Sequence, residues 1–259
     1  MRVIIGNIIR ANSIFKMIKK NDHIAVGISG GKDSLVLFKA LDIFCKKINQ
    51  QKHWNLKVKG FHVSLGFKKI NYSKLIKFAK ANDLDLEIIK SNVAEVLLAK
   101  KEHGKIQCSL CAKMKKAILV KAMKEQKFNK LALGHHADDA IETFFMNMLN
   151  ESRLATLRPI SYLDRNKIWL IRPLILSREK EIQKVANRYK MPVINNMCPN
   201  EKITQRSFVK DFINENFYES KHWPNAYVNI FRSFLNKDGS YLWFDEDFDQ
   251  KLIKSHNKI

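Results

Sequence analysis

At 259 residues the chain is long enough to bury a full hydrophobic core, as one large domain or two small ones. Its 47 lysines and arginines against 25 aspartates and glutamates leave a formal charge of +22, which excludes an acidic self-solvating chain and points to a polyanionic partner, with nucleic acid as the default. No apolar run is long enough to span a bilayer, and residues 1–10, broken by Arg2, Asn7 and Arg10, carry no signal-peptide pattern. A cytoplasmic protein without a membrane partner is expected.

In chain order, residues 1–20 read as a basic helix. From Asp22 onward strands and helices alternate, the pattern of a parallel sheet covered on both faces. The expected strands are 24–28, 58–63, 84–89, 130–134 and 169–171, the last one central and stopped by Pro173. Helices are expected over 34–48, 71–82, 93–99, 140–149 and 178–189, followed by a short extended Val193-Ile194. Cys108 and Cys111 open a further helix, with Met114, Ile118, Ala122 and Met123 on one apolar face. After Cys198 the pattern weakens into helices near 205–216 and 222–235 and a tail with an acidic cluster at 245–249. The organisation is a basic segment 1–21, an α/β domain 22–200 on an open, mostly parallel twisted sheet with helices on both faces, and a helical C-terminal addition 201–259.

Residues 29–34 read Ser-Gly-Gly-Lys-Asp-Ser between the apolar runs 24–28 and 35–38. A strand that ends in glycines and then opens a helix builds an anion cradle. Gly30 and Gly31 tolerate φ > 0 and let the main chain approach a phosphate, and the helix aims its positive end at the same point. Asp33 beside phosphates calls for a cation between them, and Mg2+ suits that place. The alternative is an ordinary strand-to-helix turn capped by Asp33 or Ser34. The loop matches neither the Walker A nor the Rossmann pattern.

Ligands on open parallel sheets bind at the carboxyl ends of strands. Besides the glycine loop, those ends carry His62-Val63-Ser64 and Gly134-His135-His136-Ala137-Asp138-Asp139. His135 or His136 is a candidate phosphate contact, and Asp138 or Asp139 a candidate to hold Mg2+ or to cap the helix that carries Glu142, with the N-cap reading strong for Asp138. Arg172, just past the 169–171 strand, is a candidate for phosphate or nucleic acid, with an ion-paired surface arginine as the alternative. Lys113, Lys115 and Lys116 cluster directly after the cysteine pair and favour a nucleic-acid surface over mere compositional bias.

Cys108 and Cys111 lie one helical turn apart and can face one metal, and Cys198 offers a third thiol. Three thiolates suit an iron–sulfur cluster with one open iron or, with His103 as fourth ligand, zinc. The residues alone leave those two equally open. Cys45, on the apolar helix after the loop, reads as core packing.

Ser-Gly-Gly-Lys-Asp-Ser at 29–34, Cys-x-x-Cys at 108–111, Gly-His-His-x-Asp-Asp at 134–139, Ile-Arg-Pro-Leu at 171–174 and Cys198 together resemble, in order and approximate spacing, the tRNA 2-thiocytidine synthetase family of PP-loop ATP pyrophosphatases. The likeness runs from about residue 20 to about 213. It implies an ATP-dependent tRNA sulfurtransferase that adenylates cytidine 32 of the anticodon loop and replaces its 2-oxygen with sulfur, using a 4Fe-4S cluster held by Cys108, Cys111 and Cys198. The implied ATP site is Ser29, Gly30, Gly31, Lys32, Asp33 and Ser34 with Mg2+ on Asp33; the strand-end reading adds His62, Gly134 and His135 beside it and Asp139 as a second Mg2+ candidate. Lys32, Asp33, Cys108 and Cys111 take the catalytic roles, and Lys113, Lys115, Lys116 and Arg172 the tRNA contacts. A sulfur donor such as a cysteine desulfurase is the implied protein partner, and homodimers are common in the family. Ala137 departs from the arginine usual in proteobacterial members. Rival readings are a lysidine synthetase, which needs no placed cysteines, a cluster-free thiolase carrying persulfide on Cys108 or Cys111, and a non-catalytic nucleotide- or RNA-binding protein.

Overall fold

The computed structural model describes residues 1–67, 70–100, 108–194 and 205–235, without the side chains of Cys108 and Ser109. His103, Cys198 and the acidic 245–249 stretch lie outside the described residues. Six strands form one sheet among them: β1 (His23–Ile28), β2 (Lys57–Ser64), β3 (Leu86–Lys90), β4 (Lys130–Ala132), β5 (Ile160–Leu163) and β6 (Ile168–Ile171). Their order is β3-β2-β1-β4-β6-β5. All neighbours run parallel except β5, which pairs antiparallel with β6 at the edge.

The helices are α1 (Arg2–Phe15), α2 (Lys32–Lys52), α3 (Ser73–Ala81), α4 (Val93–Ala99), α5 (Cys108–Glu125), α6 (Ala137–Glu151), α7 (Glu179–Arg188), α8 (Gln205–Ile213) and α9 (Ala226–Ser233). Residues 24–28 of the central β1 are buried on both faces, as a strand covered by helices on either side must be. Against one face lies α2, whose Phe38 ring rests directly on Gly60 of β2; a Cβ at residue 60 would stand 2.8 Å from that ring. Against the other lies α5, whose Leu119, Val120 and Met123 join Ala25, Phe61, Val63 and Leu131 in one core. Both α1 and α7 pack on α2. No helix among the described residues is long and apolar enough to cross a membrane.

The edge strand β5 has no counterpart in the sequence expectation, in which 169–171 is the last strand and central. It returns to β6 through a 3-10 turn over Asp164–Asn166, with Lys167 at φ 52. A hairpin position at positive φ normally shows itself as Gly or Asn; a lysine there hides the turn. Tyr162 and Trp169 pair across the two strands with ring centroids 4.8 Å apart. Smaller differences are the end of β4 at Ala132 instead of residue 134, and the end of α8 at Ile213, after which Asn214–Tyr218 continue as a π-helical turn.

The chain divides into a compact unit of Met1–Val209 and a second one from Lys210 onward. The described part of the second contains the π turn and α9, joined by the aromatic contact of Tyr227 with Tyr218.

Candidate active site

From β1 the chain steps outward to β2 and β3; from β4 it steps to the opposite side, to β6 and β5. The carboxyl ends of β1 and β4 therefore flank the topological switch point, where connections diverge and leave a crevice. The glycine loop follows β1 and the Gly-His-His segment follows β4. They touch. A Cβ on Gly134 would stand 3.0 Å from the Ser34 nitrogen and 3.1 Å from the Asp33 carbonyl carbon, so only glycine lets the two backbones meet at this distance.

Gly30 takes φ 96, a conformation reserved for glycine. Gly31 does not share it: with φ −75 and ψ 160 it is extended and serves as N-cap of α2, correcting the expectation of positive φ at both. The Ser34 hydroxyl folds back to accept from the Ser29 N–H (3.2 Å) and to donate to the Gly31 carbonyl (2.9 Å), and Ser29 Oγ accepts from the Gly31 N–H (3.3 Å). The loop is thus braced by its own serines. The first-turn amides of α2 have no intrahelical acceptor and open towards the crevice. From beyond α7, the Ile194 N–H donates to the Gly30 carbonyl at 2.9 Å.

Lys32 Nζ bridges Glu179 Oε1 (2.9 Å) and the Asp33 carboxylate (3.2 Å). Burial works against its charge, but the hydrogen bond to Glu179 and the two carboxylates outweigh it and raise the ammonium above its ordinary range. Asp33 Oδ1 is buried and receives no hydrogen bond from the described residues: Lys32 Nζ lies 3.2 Å from it but hydrogen-bonds to Oδ2 at 3.3 Å. An orphaned buried carboxylate oxygen facing a phosphate-shaped loop fits a divalent cation.

His136 is the N-cap of α6. Its Nδ1 accepts from the Asp139 N–H (3.3 Å) while its own N–H donates to Asp139 Oδ2 (2.9 Å), a reciprocal capping box. That leaves Nε2 as the protonated nitrogen, 4.0 Å from Asp33 Oδ1 and 3.4 Å from Asp139 Oδ2. Asp138, expected to cap its own helix, instead reaches across to α7. Its Oδ2 accepts the Glu179 N–H at 2.7 Å, and its Oδ1 takes the Arg178 guanidinium at 3.0 Å. Asp139 Oδ1 also meets Arg206, 3.2 Å away, so that both its oxygens are engaged. Arg172 Nε donates to His135 Nδ1 at 3.2 Å. Burial first, and then the Arg172 charge, push the His135 imidazole down to about 4, so it is neutral near pH 7 with its proton on Nε2.

His62 is 2 % exposed, with both ring nitrogens engaged: Nδ1 with the Ile28 carbonyl (2.9 Å) and Nε2 with the Tyr72 hydroxyl (3.3 Å). It pins the end of β1 to β2 from within the core. Cys111, in the first turn of α5, packs with Leu65 and Phe67, just past the carboxyl end of β2, against Val93 and Leu97. One turn on, burial pushes the Lys115 ammonium below its ordinary value, with the Cys111 thiol pulling the other way. Lys113 is exposed and Lys116 half-buried. Cys45 is buried in α2, its thiol pushed up to about 12 by burial, as suits a core residue. No group of three or more His, Cys, Asp or Glu that could hold a metal converges among the described residues.

Sequence reasoning missed Glu179, Arg178 and Arg206. Their partners lie 147, 40 and 67 positions away, beyond the reach of any local pattern.

A fold with a glycine loop at its switch point and an orphaned carboxylate beside it defines a nucleotide-binding class of α/β protein. The model of a family described as PP-loop domain matches residues 7–217. The tRNA-cytidine(32) 2-sulfurtransferase of Idiomarina loihiensis is 33% identical over 242 residues, 92% of this chain and 78% of that protein. Its counterpart in Histophilus somni is 32% identical over 257 residues, 98% and 78% of the two chains. The chain belongs to the PP-loop family, among the relatives of the tRNA-cytidine(32) 2-sulfurtransferases. The solved U34-tRNA thiolase NcsA from Methanococcus maripaludis, with its 4Fe-4S cluster, shares the fold at TM-score 0.69 and 23% identity, over 90% of this chain and 78% of that one.

Proposed function

We propose that this chain is an ATP-dependent tRNA sulfurtransferase that activates the 2-oxygen of cytidine 32 as an adenylate and exchanges it for sulfur. The observation that carries the reading is the long, near-complete likeness to sulfurtransferases of that name, joined to a phosphate-shaped loop at the switch point. A pyrimidine carbonyl oxygen is a poor leaving group. Attack of that oxygen on the α-phosphorus of ATP breaks the bond to pyrophosphate, which departs with the electron pair. When a sulfur nucleophile then bonds to C2, the C2–O bond breaks and AMP leaves with the original oxygen.

The braced loop and the α2 amides receive the pyrophosphate portion, where negative charge grows as it departs. Lys32, already held between Asp33 and Glu179, lends a fixed positive charge to the same region. Asp33 Oδ1 is the atom suited to an ATP-borne Mg2+. Asp139, tied to His136 and Arg206, is the weaker candidate for that role. His135, neutral and oriented by Arg172, donates from Nε2 to an oxygen of the nucleotide without adding charge.

Cys108, Cys111 and Cys198 would hold a 4Fe-4S cluster, which supplies an open iron site for sulfide. Two features of this chain fit that group. Cys111 lies at a helix N-terminus against a dry apolar wall, with the Lys115 ammonium as counter-charge. Ile194 is latched to Gly30, and the four residues from there to Cys198 span at most about 14 Å of extended chain. Lys113 and Lys116 contribute to tRNA attraction. A cysteine-desulfurase-type sulfur donor, a cytoplasmic setting and a homodimer complete the reading.

Mass analysis of tRNA nucleosides from cells with and without the protein tests it. Loss of 2-thiocytidine in the deleted strain is the expected result; an unchanged 2-thiocytidine level overturns the proposal.

A further inference from the structure

At the far end of α2 from the glycine loop lies a groove of about 750 Å³. Its rims carry Lys16, Lys19 and Lys20 from the turn between α1 and β1, and Lys47 and Lys52 from the last turns of α2, with Trp54 at one side. All five lysines are exposed. Among the described residues none makes an ion pair, and none of the residues lining the groove is acidic. Elsewhere in the same unit three lysines drawn inward are neutralised: Lys32 by Asp33 and Glu179, Lys59 by Asp85 and Glu87, Lys130 by Asp22. Asp22, the acid nearest in sequence, is spent on Lys130 at 2.8 Å and on the Lys19 N–H at 2.6 Å.

The groove is also built firmly. Asn12 clamps both backbone groups of Ile18, at 2.7 and 3.2 Å, and the Asn21 N–H donates to the Trp54 carbonyl at 2.7 Å. Lys52 sits 5.6 Å above the Trp54 ring, which holds its stem in place.

We propose that this groove binds the phosphodiester backbone of the tRNA body, away from the anticodon loop, as a second anchoring surface; the proposal rests on the tRNA reading above. Five unshared positive charges spread along a concave wall exceed what a mononucleotide requires, and a concave wall suits a ridge of phosphates better than a flat lipid surface. The distance fits. The 21 residues of α2 separate groove and loop by about 30 Å, and a dozen base pairs stacked in an A-form helix at about 2.8 Å each reach about 34 Å. An RNA arm whose loop enters the crevice is therefore long enough to lie on these lysines.

The test compares full-length tRNA with an isolated anticodon stem-loop, whose five A-form base pairs cover only about 14 Å. Binding of each RNA is followed by fluorescence anisotropy across a potassium chloride series, for the wild type and for a Lys20→Gln/Lys47→Gln/Lys52→Gln variant. The variant is expected to bind full-length tRNA about tenfold more weakly at 100 mM salt, with a slope of log K against log salt shallower by about 2. Its binding of the stem-loop, and pyrophosphate release on that RNA, should stay within about twofold of wild type. The corresponding triple Lys→Arg variant should retain full-length affinity. Unchanged full-length binding overturns the proposal, as does equal weakening for both RNAs or weakened binding of anionic vesicles with tRNA affinity intact. A wild type that binds full-length tRNA through these lysines but releases no pyrophosphate would overturn the sulfurtransferase reading and leave the groove standing.

Discussion

The two ends of α2 handle charge in opposite ways. At the N-terminal end nearly every charge has a partner: Lys32 with Asp33 and Glu179, Asp138 with Arg178, Asp139 with Arg206. One buried oxygen of Asp33, paired with Lys32 in charge, still lacks a hydrogen bond among the described residues. At the C-terminal end five exposed lysines make no ion pair among the described residues. Compensated, desolvated groups act at short range and hold a fixed geometry, as chemistry requires. Uncompensated solvated charges act at long range and are screened by salt, as capture of a polyanion requires. One helix thus carries a reaction site at its head and an attraction site at its foot.

Asp33→Ala should give the largest effect: about 100-fold or greater loss of ATP-dependent pyrophosphate release, at every salt concentration, with tRNA affinity within twofold. Parallel loss of tRNA binding would erase the distinction between the two ends.

A smaller effect separates the ends by pH. His135 protonates in the unfolded chain near 6.5 but in the folded protein only at about 4. The unfolded state therefore binds the extra proton first, and stability falls as pH drops from about 6.5 to about 4, while above 6.5 this group contributes no slope. The full loss approaches about 3 kcal/mol. Thermal melts of the ligand-free protein check it, and His135→Asn should flatten that part of the profile.

Gly134→Ala should cost about 1–3 kcal/mol, since the new methyl group meets the backbone of residues 33 and 34. Urea unfolding measures the stability, and ATP titration should show weaker binding with an unchanged salt slope for tRNA. A neutral substitution would mean that the two loops can part freely.

Much of this was legible in the sequence, and the failures have a common cause. The glycine loop and the Gly-His-His segment announce themselves because each lies at the end of an apolar strand, and strand order then brings them together. The apolar periodicity of α5 survives in its packing through Leu119 and Met123. The cap of α6 falls to His136 and not to Asp138, because a local rule assigns a cap to the nearest acid whereas α7 offers Asp138 a stronger partner in Arg178. Glu179 escaped notice for the same reason: its role depends on Lys32, which only the folded sheet brings to it. The strand β5 was lost because its turn uses Lys167 where a glycine would have marked it.

The Glu179 contacts have one more consequence. Its amide is gripped by Asp138 at the start of α6, and its carboxylate grips Lys32 at the start of α2. Three helix beginnings are therefore chained through a single residue, like stones leaning on one wedge. A phosphate that competed for Lys32 would loosen that wedge at the point where α2, α6 and α7 meet.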